Sequence, residues 1–194
     1  KKRVVNRPIV VSNKGLVAQV DLADMSKYAA ANNGMKWMMV YVDLFSKLIL
    51  ALPMRNKEEP TVLKTYDALM DSIPAEWRAR TIQSDNGSEF LVQWRNHLRS
   101  KYNQRAIHST AYNPSSQGCV ERYNRSIKTM IFKSFTKYDS KRWVDVLPLI
   151  VINLNTSVQG TTKHTPLQIM KGGEDMAKDV HSNIKKAAAK LLDG

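Results

Sequence analysis

The chain has 194 residues, enough for one domain with a sizeable core, and its 43% apolar and 24% charged content are ordinary for a globular protein. Thirty Lys and Arg against 17 Asp and Glu leave a net charge of +13, which makes a polyanion the leading partner. One cysteine, Cys119, excludes an internal disulfide framework and suits a reducing compartment. Four scattered histidines complete no zinc site, and no apolar run approaches the roughly 18 residues of a membrane span.

Residues 1–15 read as an irregular lead-in arm ending at Gly15. Its opening, KKRVVNRPIVV, has too short an apolar stretch for a signal peptide, and a chain that begins at Lys1 reads as an excised part of something longer. LVAQVDL (Leu16 to Leu22) alternates as a strand. A polar connection with Asn32, Asn33 and Gly34 follows, then two β-rich runs, KWMMVYVD and KLILALP, separated by a break short enough for an antiparallel turn. The chain is therefore expected to open with a three-stranded meander.

Val62, Leu63, Tyr66, Leu69 and Met70 then recur at helical spacing between Glu58 and Ile73, with Pro60 tolerable in a first turn. RTIQS before Asp85 predicts a short buried strand, Glu89 to Ser100 a helix, and Gln104 to His108 another strand. After the turn-rich NPSSQG, a long helix is expected from about Cys119 to Tyr138 and another from Lys141 to about Asn155. Pro148 should kink or interrupt the latter. A last short helix should start with Thr165 as N-cap and Pro166 at its first position. We divide the chain into the lead-in arm, a core over 16–172, and a helical arm or linker over 173–194. This element order predicts an α/β, ribonuclease H-like fold, a five-stranded mixed sheet flanked by helices. No Gly-rich strand-to-helix turn supports a Rossmann alternative.

Three acidic residues stand out in so basic a chain. Asp21 lies inside an apolar strand, Asp85 ends a second one, and Glu121 falls in the first turn of the long helix. Strand interiors disfavour aspartate, and a buried carboxylate needs a cation. If the two strands are neighbours, the carboxylates can converge at one sheet edge, where divalent cations would relieve their repulsion. Hard oxygen ligands point to Mg²⁺ or Mn²⁺. Any one of these acids read alone is an ordinary surface or capping residue, so the case rests on joint placement. On the long helix, Val120, Tyr123, Ile127, Met130 and Ile131 trace an apolar arc, while Gln117, Glu121, Arg125 and Lys128 form a separate stripe suited to a phosphate backbone. By itself that stripe is equally a solvated helix face with weak ion pairs.

SDNGSEF around Asp85, followed by AYNPSSQGCVERYNRSIK from Ala111 to Lys128, resembles the catalytic core of retroviral and retroelement integrases. The 35 residues between Asp85 and Glu121 match that family's spacing, QVDLADM supplies the first acid at Asp21, and VDLFSK near Asp43 matches its second strand. NTSVQGTTKHTPLQIMKG resembles the segment that closes these cores, so the likeness covers about residues 16–172. DLADM and NNG look closer to the integrases of Maverick/Polinton-type transposons than to those of vertebrate retroviruses.

The resemblance implies 3′-end processing and strand transfer of an element's DNA into target DNA, with two Mg²⁺ or Mn²⁺ ions held by Asp21, Asp85 and Glu121. It implies DNA contacts from Asn86, Gly87, Tyr112, Asn113, Gln117, Asn124, Arg125 and Lys128, and leaves Cys119 as a small packing residue. It also implies double-stranded DNA as partner, a homodimer or higher homo-oligomer, and action in the nucleus. No His-His-Cys-Cys set precedes the core in these residues and no small β-barrel or chromodomain is evident after it, so the fragment is expected to integrate poorly by itself. The alternatives are a domesticated, non-catalytic DNA-binding protein, a nuclease of the same fold, and a nucleic-acid-packaging protein. The intact triad favours the integrase over the binding and packaging proteins, and strand transfer into a second duplex would separate it from the nuclease.

Overall fold

The computed structural model describes residues 11–85, 87, 90, 92–108, 118–173, 175, 176, 178 and 180. Strands β1 (Val17–Asp24), β2 (Trp37–Asp43) and β3 (Ile49–Met54) are followed by α1 (Glu59–Asp71), β4 (Thr81–Ser84), α2 (Val92–Tyr102) and β5 (Arg105–His108). Three helices close the order: α3 (Gly118–Tyr138), α4 (Trp143–Thr156) and α5 (Pro166–Lys171). One five-stranded sheet runs β3-β2-β1-β4-β5, antiparallel from β3 to β1 and parallel from β1 to β5. The meander and the mixed sheet flanked by helices are thus present, in the ribonuclease H-like arrangement.

The meander is central in the core, and its side chains alternate between two helical layers. Ala18, Val20, Met39, Tyr41 and Ile82 pack under α1 and α2 with Val62, Tyr66, Leu69, Trp94 and Leu98. Ala23, Met38, Val40 and Val42 face α3 and α4, against Val120, Ile127, Ile131, Trp143 and Leu147. Burial on both faces explains why β2 reads as an almost unbroken apolar run. A third, smaller cluster joins Val11, Leu44, Phe45, Ile169 and Val180, so the end of the lead-in and part of the C-terminal segment pack on the core.

Buried polar side chains pin the joints between elements. Asp43 closes the β2–β3 reversal: its Oδ1 accepts from the Ser46 N–H (2.7 Å), the Ser46 hydroxyl (2.8 Å) and the Phe45 N–H (3.2 Å), and its Oδ2 accepts from the Gly15 N–H (3.0 Å). Full burial pushes the Asp43 pKa up, against those hydrogen bonds. Lys47 completes the reversal at φ 66°, in the left-handed region. The connection between β1 and β2 contains two 3₁₀ turns, Ser26–Tyr28 and Ala30–Asn32, where the sequence suggested only a polar loop. Asn32 has a structural task there. Its amide donates to the carbonyls of Tyr28 (2.7 Å) and Lys141 (2.9 Å), and its oxygen accepts from the Val144 N–H (3.1 Å), capping α4 from outside the helix.

Of the kink or interruption expected at Pro148, the interruption does not occur, since α4 is continuous from Trp143 to Thr156. Pro148 sits on the exposed side, where the carbonyl it leaves unpaired can meet solvent. Thr165 and Gln168 form a full capping box at α5, with Pro166 in the first turn as expected. Lys14 closes the other end of α5, donating to the carbonyls of Met170 (2.5 Å) and Gly172 (2.7 Å).

Candidate active site

Strands β1 and β4 pair in parallel with Ala18 opposite Ile82 and Gln19 opposite Gln83. The same register carried two residues further brings Asp21 level with Asp85, and the period of two puts both on the α3 side of the sheet. Glu121 occupies the first turn of α3, which crosses that face. Asp21 is half-buried, whereas Asp85 and Glu121 are exposed. Its Oδ1 accepts from the Leu22 N–H (2.8 Å) and its Oδ2 from the Asn124 side-chain amide (2.7 Å). Burial raises the Asp21 pKa most, and the charges of Asp85 and then Glu121 raise it further, with the two hydrogen bonds opposing. Three acids from separate elements therefore feel one another at one sheet edge.

Among the described residues, no three His, Cys, Asp or Glu side chains stand close enough together to close a metal site. The donor chemistry nevertheless fits a hard divalent cation. Every candidate ligand is a carboxylate, burial and then the charges of Asp85 and Glu121 hold Asp21 above its ordinary range, and the Asn124 Oδ1 beside them is buried without a partner.

Two sets of side chains that sequence reasoning passed over hold the acids in place. Gln19, fully buried on β1, donates its amide to Gln83 Oε1 on β4 (3.1 Å), and its own Oε1 accepts from the Val120 N–H at the start of α3 (3.0 Å). The signal was available, since each glutamine precedes an acid by two residues and shares its face. On the opposite face, Arg95 Nε donates to His108 Nε2 (3.0 Å), which leaves the proton on Nδ1 to donate to the Asp85 carbonyl (3.0 Å). Asp85 is further bent back on itself by the Gly87 N–H, which donates to its Oδ1 (3.0 Å).

No profile of a known protein family matches the chain. The chain is 30% identical over 150 residues to the Gag-Pol polyprotein of gibbon ape leukemia virus, an alignment that takes in 77% of this chain and 9% of the polyprotein. It is 27% identical over 151 residues to a transposon-derived protein of Caenorhabditis elegans, across 76% of this chain and 50% of that one. The chain therefore spans half or less of the length of these relatives. In three dimensions it matches the HTLV-2 integrase catalytic core in complex with magnesium, solved in trimeric and dimeric forms, with a TM-score of 0.63. That match covers 81% of this chain and 97% of that core at 22% identity in the trimeric form, so it speaks to the fold. The chain is a relative of the retroviral and transposon integrase catalytic cores.

In this integrase-type core the expected DNA-facing residues fall into three groups. Asn86, Tyr112, Asn113 and Gln117 lie outside the described residues. Gly87 stands against Asp85, and Arg125 and Lys128 follow Glu121 along α3 at one and two turns, Arg125 exposed and Lys128 half-buried. Asn124 is turned inward on the same helix, buried against Asp21. Cys119 is half-buried between the second and third core clusters, consistent with packing.

Proposed function

We propose that this chain is a metal-dependent DNA integrase core that trims the 3′ ends of an element's DNA and joins them to a target duplex. The observation that carries the reading is the register that brings Asp21 level with Asp85 on the α3 face of the sheet, with Glu121 in the first turn of that helix. A protein kept only to bind DNA has no use for such a costly convergence. The net charge of +13 supports double-stranded DNA as substrate.

Asp21, Asp85 and Glu121 would hold two Mg²⁺ or Mn²⁺ ions. When bound, such ions stabilise the charge on the reacting phosphate and ease deprotonation of the attacking oxygen. In trimming, a water oxygen bonds to phosphorus, the bond to the 3′ oxygen breaks, and that oxygen leaves as a 3′-hydroxyl. In joining, this hydroxyl attacks a target phosphate in line and displaces a second 3′ oxygen. The chain's part is positioning and charge. Asn124 fixes the Asp21 carboxylate plane, His108 and Gly87 fix Asp85, and Arg125 and Lys128 neutralise phosphates leading away from Glu121. Asn86, Tyr112, Asn113 and Gln117 complete the DNA contact in this reading. Two DNA ends must be handled together, so the working unit holds more than one copy, and integration into a chromosome places it in a nucleus.

The test is to incubate the chain with short branched DNA in Mn²⁺, beside Asp85→Asn, and follow cleavage and joining on a gel. Metal-dependent joining that vanishes in Asp85→Asn is expected. Inactivity of both, with folding verified, would favour a domesticated DNA-binding protein or a core that needs further domains to act.

A further inference from the structure

Three elements carry the three acids, and one side chain touches all three. Gln19 belongs to β1 two residues before Asp21; its Nε2 donates to Gln83, two residues before Asp85 on β4; and its Oε1 accepts from Val120, the residue before Glu121 on α3. Its exposure is 1%, so no solvent competes for either bond. The N–H groups of a helix's first turn have no partner within the helix, so Gln19 acts as a cap supplied across the fold. A buried amide is costly unless both of its ends are used, which makes this side chain an exacting spacer rather than a filler.

We infer that Gln19 is a positioning residue that sets the metal affinity of the site by holding β1, β4 and the start of α3 in fixed relation. The inference rests on the reading of Asp21, Asp85 and Glu121 as metal ligands. Gln19 need not contact a metal or DNA. Its amide fixes where the first turn of α3 begins, and so how far the Glu121 carboxylate stands from the pair on the sheet. Replacing the amide by a thioether of similar length leaves the Val120 N–H and the Gln83 oxygen without this partner, and frees the helix start to move. Groups one step behind a metal's ligands commonly govern its affinity by about 10- to 100-fold.

The experiment measures Mn²⁺ binding to the whole chain by titration calorimetry without DNA, beside circular dichroism and thermal melting in EDTA. Wild type, Gln19→Met and Gln19→Glu are compared. Gln19→Met is expected to fold and to need about 10-fold more Mn²⁺ for half-saturation. Gln19→Glu keeps an acceptor for Val120, its protonated form donates to Gln83 as the amide does, and any ionised fraction attracts cations, so its midpoint should stay at or below that of wild type. An unchanged midpoint in Gln19→Met, or an equal loss in both variants, overturns the inference. Should Gln19→Met fail to fold, Gln83→Met carries the test, because it breaks only the bond between the two glutamines. A midpoint raised in Gln83→Met supports the inference and an unchanged one overturns it. Wild type that binds no Mn²⁺ at millimolar concentration sinks the metal site and this inference with it. Binding by wild type with no change in the variants sinks this inference alone.

Discussion

Asn124 turns its side chain toward Asp21: Nδ2 donates to the carboxylate at 2.7 Å, and the amide oxygen beside it is buried with no partner. The asymmetry has a direct consequence for Asp21→Asn. The new amide presents a donor where the carboxylate presented an acceptor, and Asn124 can rotate to offer its idle oxygen. The exchange keeps the hydrogen bond and removes a charge that burial, Asp85 and Glu121 all penalise. In EDTA at pH 7, Asp21→Asn should therefore melt a few degrees above wild type, on the order of 1 kcal/mol. Because the folded pKa of Asp21 is raised, the wild-type penalty is absent below the ordinary carboxylate range and appears as pH rises through the folded value. The gap should close near pH 3. Added Mg²⁺ should raise the melting temperature of wild type and leave Asp21→Asn unmoved. Wild type melting above the variant in EDTA would contradict the electrostatic account.

Asp67 joins α1 to α2 through three contacts of 2.7 Å, from His97 Nε2, Lys101 Nζ and the Tyr102 hydroxyl. Burial opposes ionisation, but the donors win and hold the Asp67 pKa below its usual value. A depressed carboxyl contributes stability above its unfolded pKa and loses it as pH falls through the folded one. Asp67→Asn should cost about 1 kcal/mol in urea unfolding at pH 7, with the difference fading below about pH 4. A cost that does not shrink as pH falls would point to packing instead of charge.

Asn155 completes the outer edge of β3 as a neighbouring strand would, donating to the Ile49 carbonyl (2.7 Å) and accepting from its N–H (2.9 Å). Asn155→Ala strands both buried backbone groups. The expected loss is about 2–3 kcal/mol, with faster hydrogen exchange at the Ile49 amide. Protection at Ile49 equal to wild type would show that the edge is held by other contacts.

Arg125 and Lys128 follow Glu121 along α3. If both meet phosphates, Arg125→Ala and Lys128→Ala should each weaken binding to unrelated duplexes uniformly, and each should reduce the slope of log affinity against log salt by about one. Lys137, at the far end of α3, serves as a control that should leave the slope unchanged. Fluorescence anisotropy across a salt series decides it, and slopes equal to wild type would remove these side chains from the DNA path.

Most of the architecture was legible because it follows from short-range rules. Alternation marked β1, β-rich apolar runs marked β2 and β3, helical spacing marked α1 and α3, and Thr165 with Pro166 marked the start of α5. The three acids were legible too, because a carboxylate in an apolar strand is conspicuous and the motif spacing around Asp85 and Glu121 is specific. Pro148 does not interrupt α4 as one branch of the expectation had it, because it lies on the exposed side of the helix, and facing is a tertiary property. Asn32, Gln19, Asn155 and His108 were silent for the same reason. Each is an ordinary polar residue until chain from 20 or more positions away arrives beside it. Local chemistry in the sequence determined which segments are strands and helices and which acids are candidates for the chemistry. Only the packed sheet decided that β1 lies beside β4, that α3 crosses their edge, and that Asp21, Asp85 and Glu121 share one electrostatic environment, because non-local hydrogen bonds and core burial set those distances.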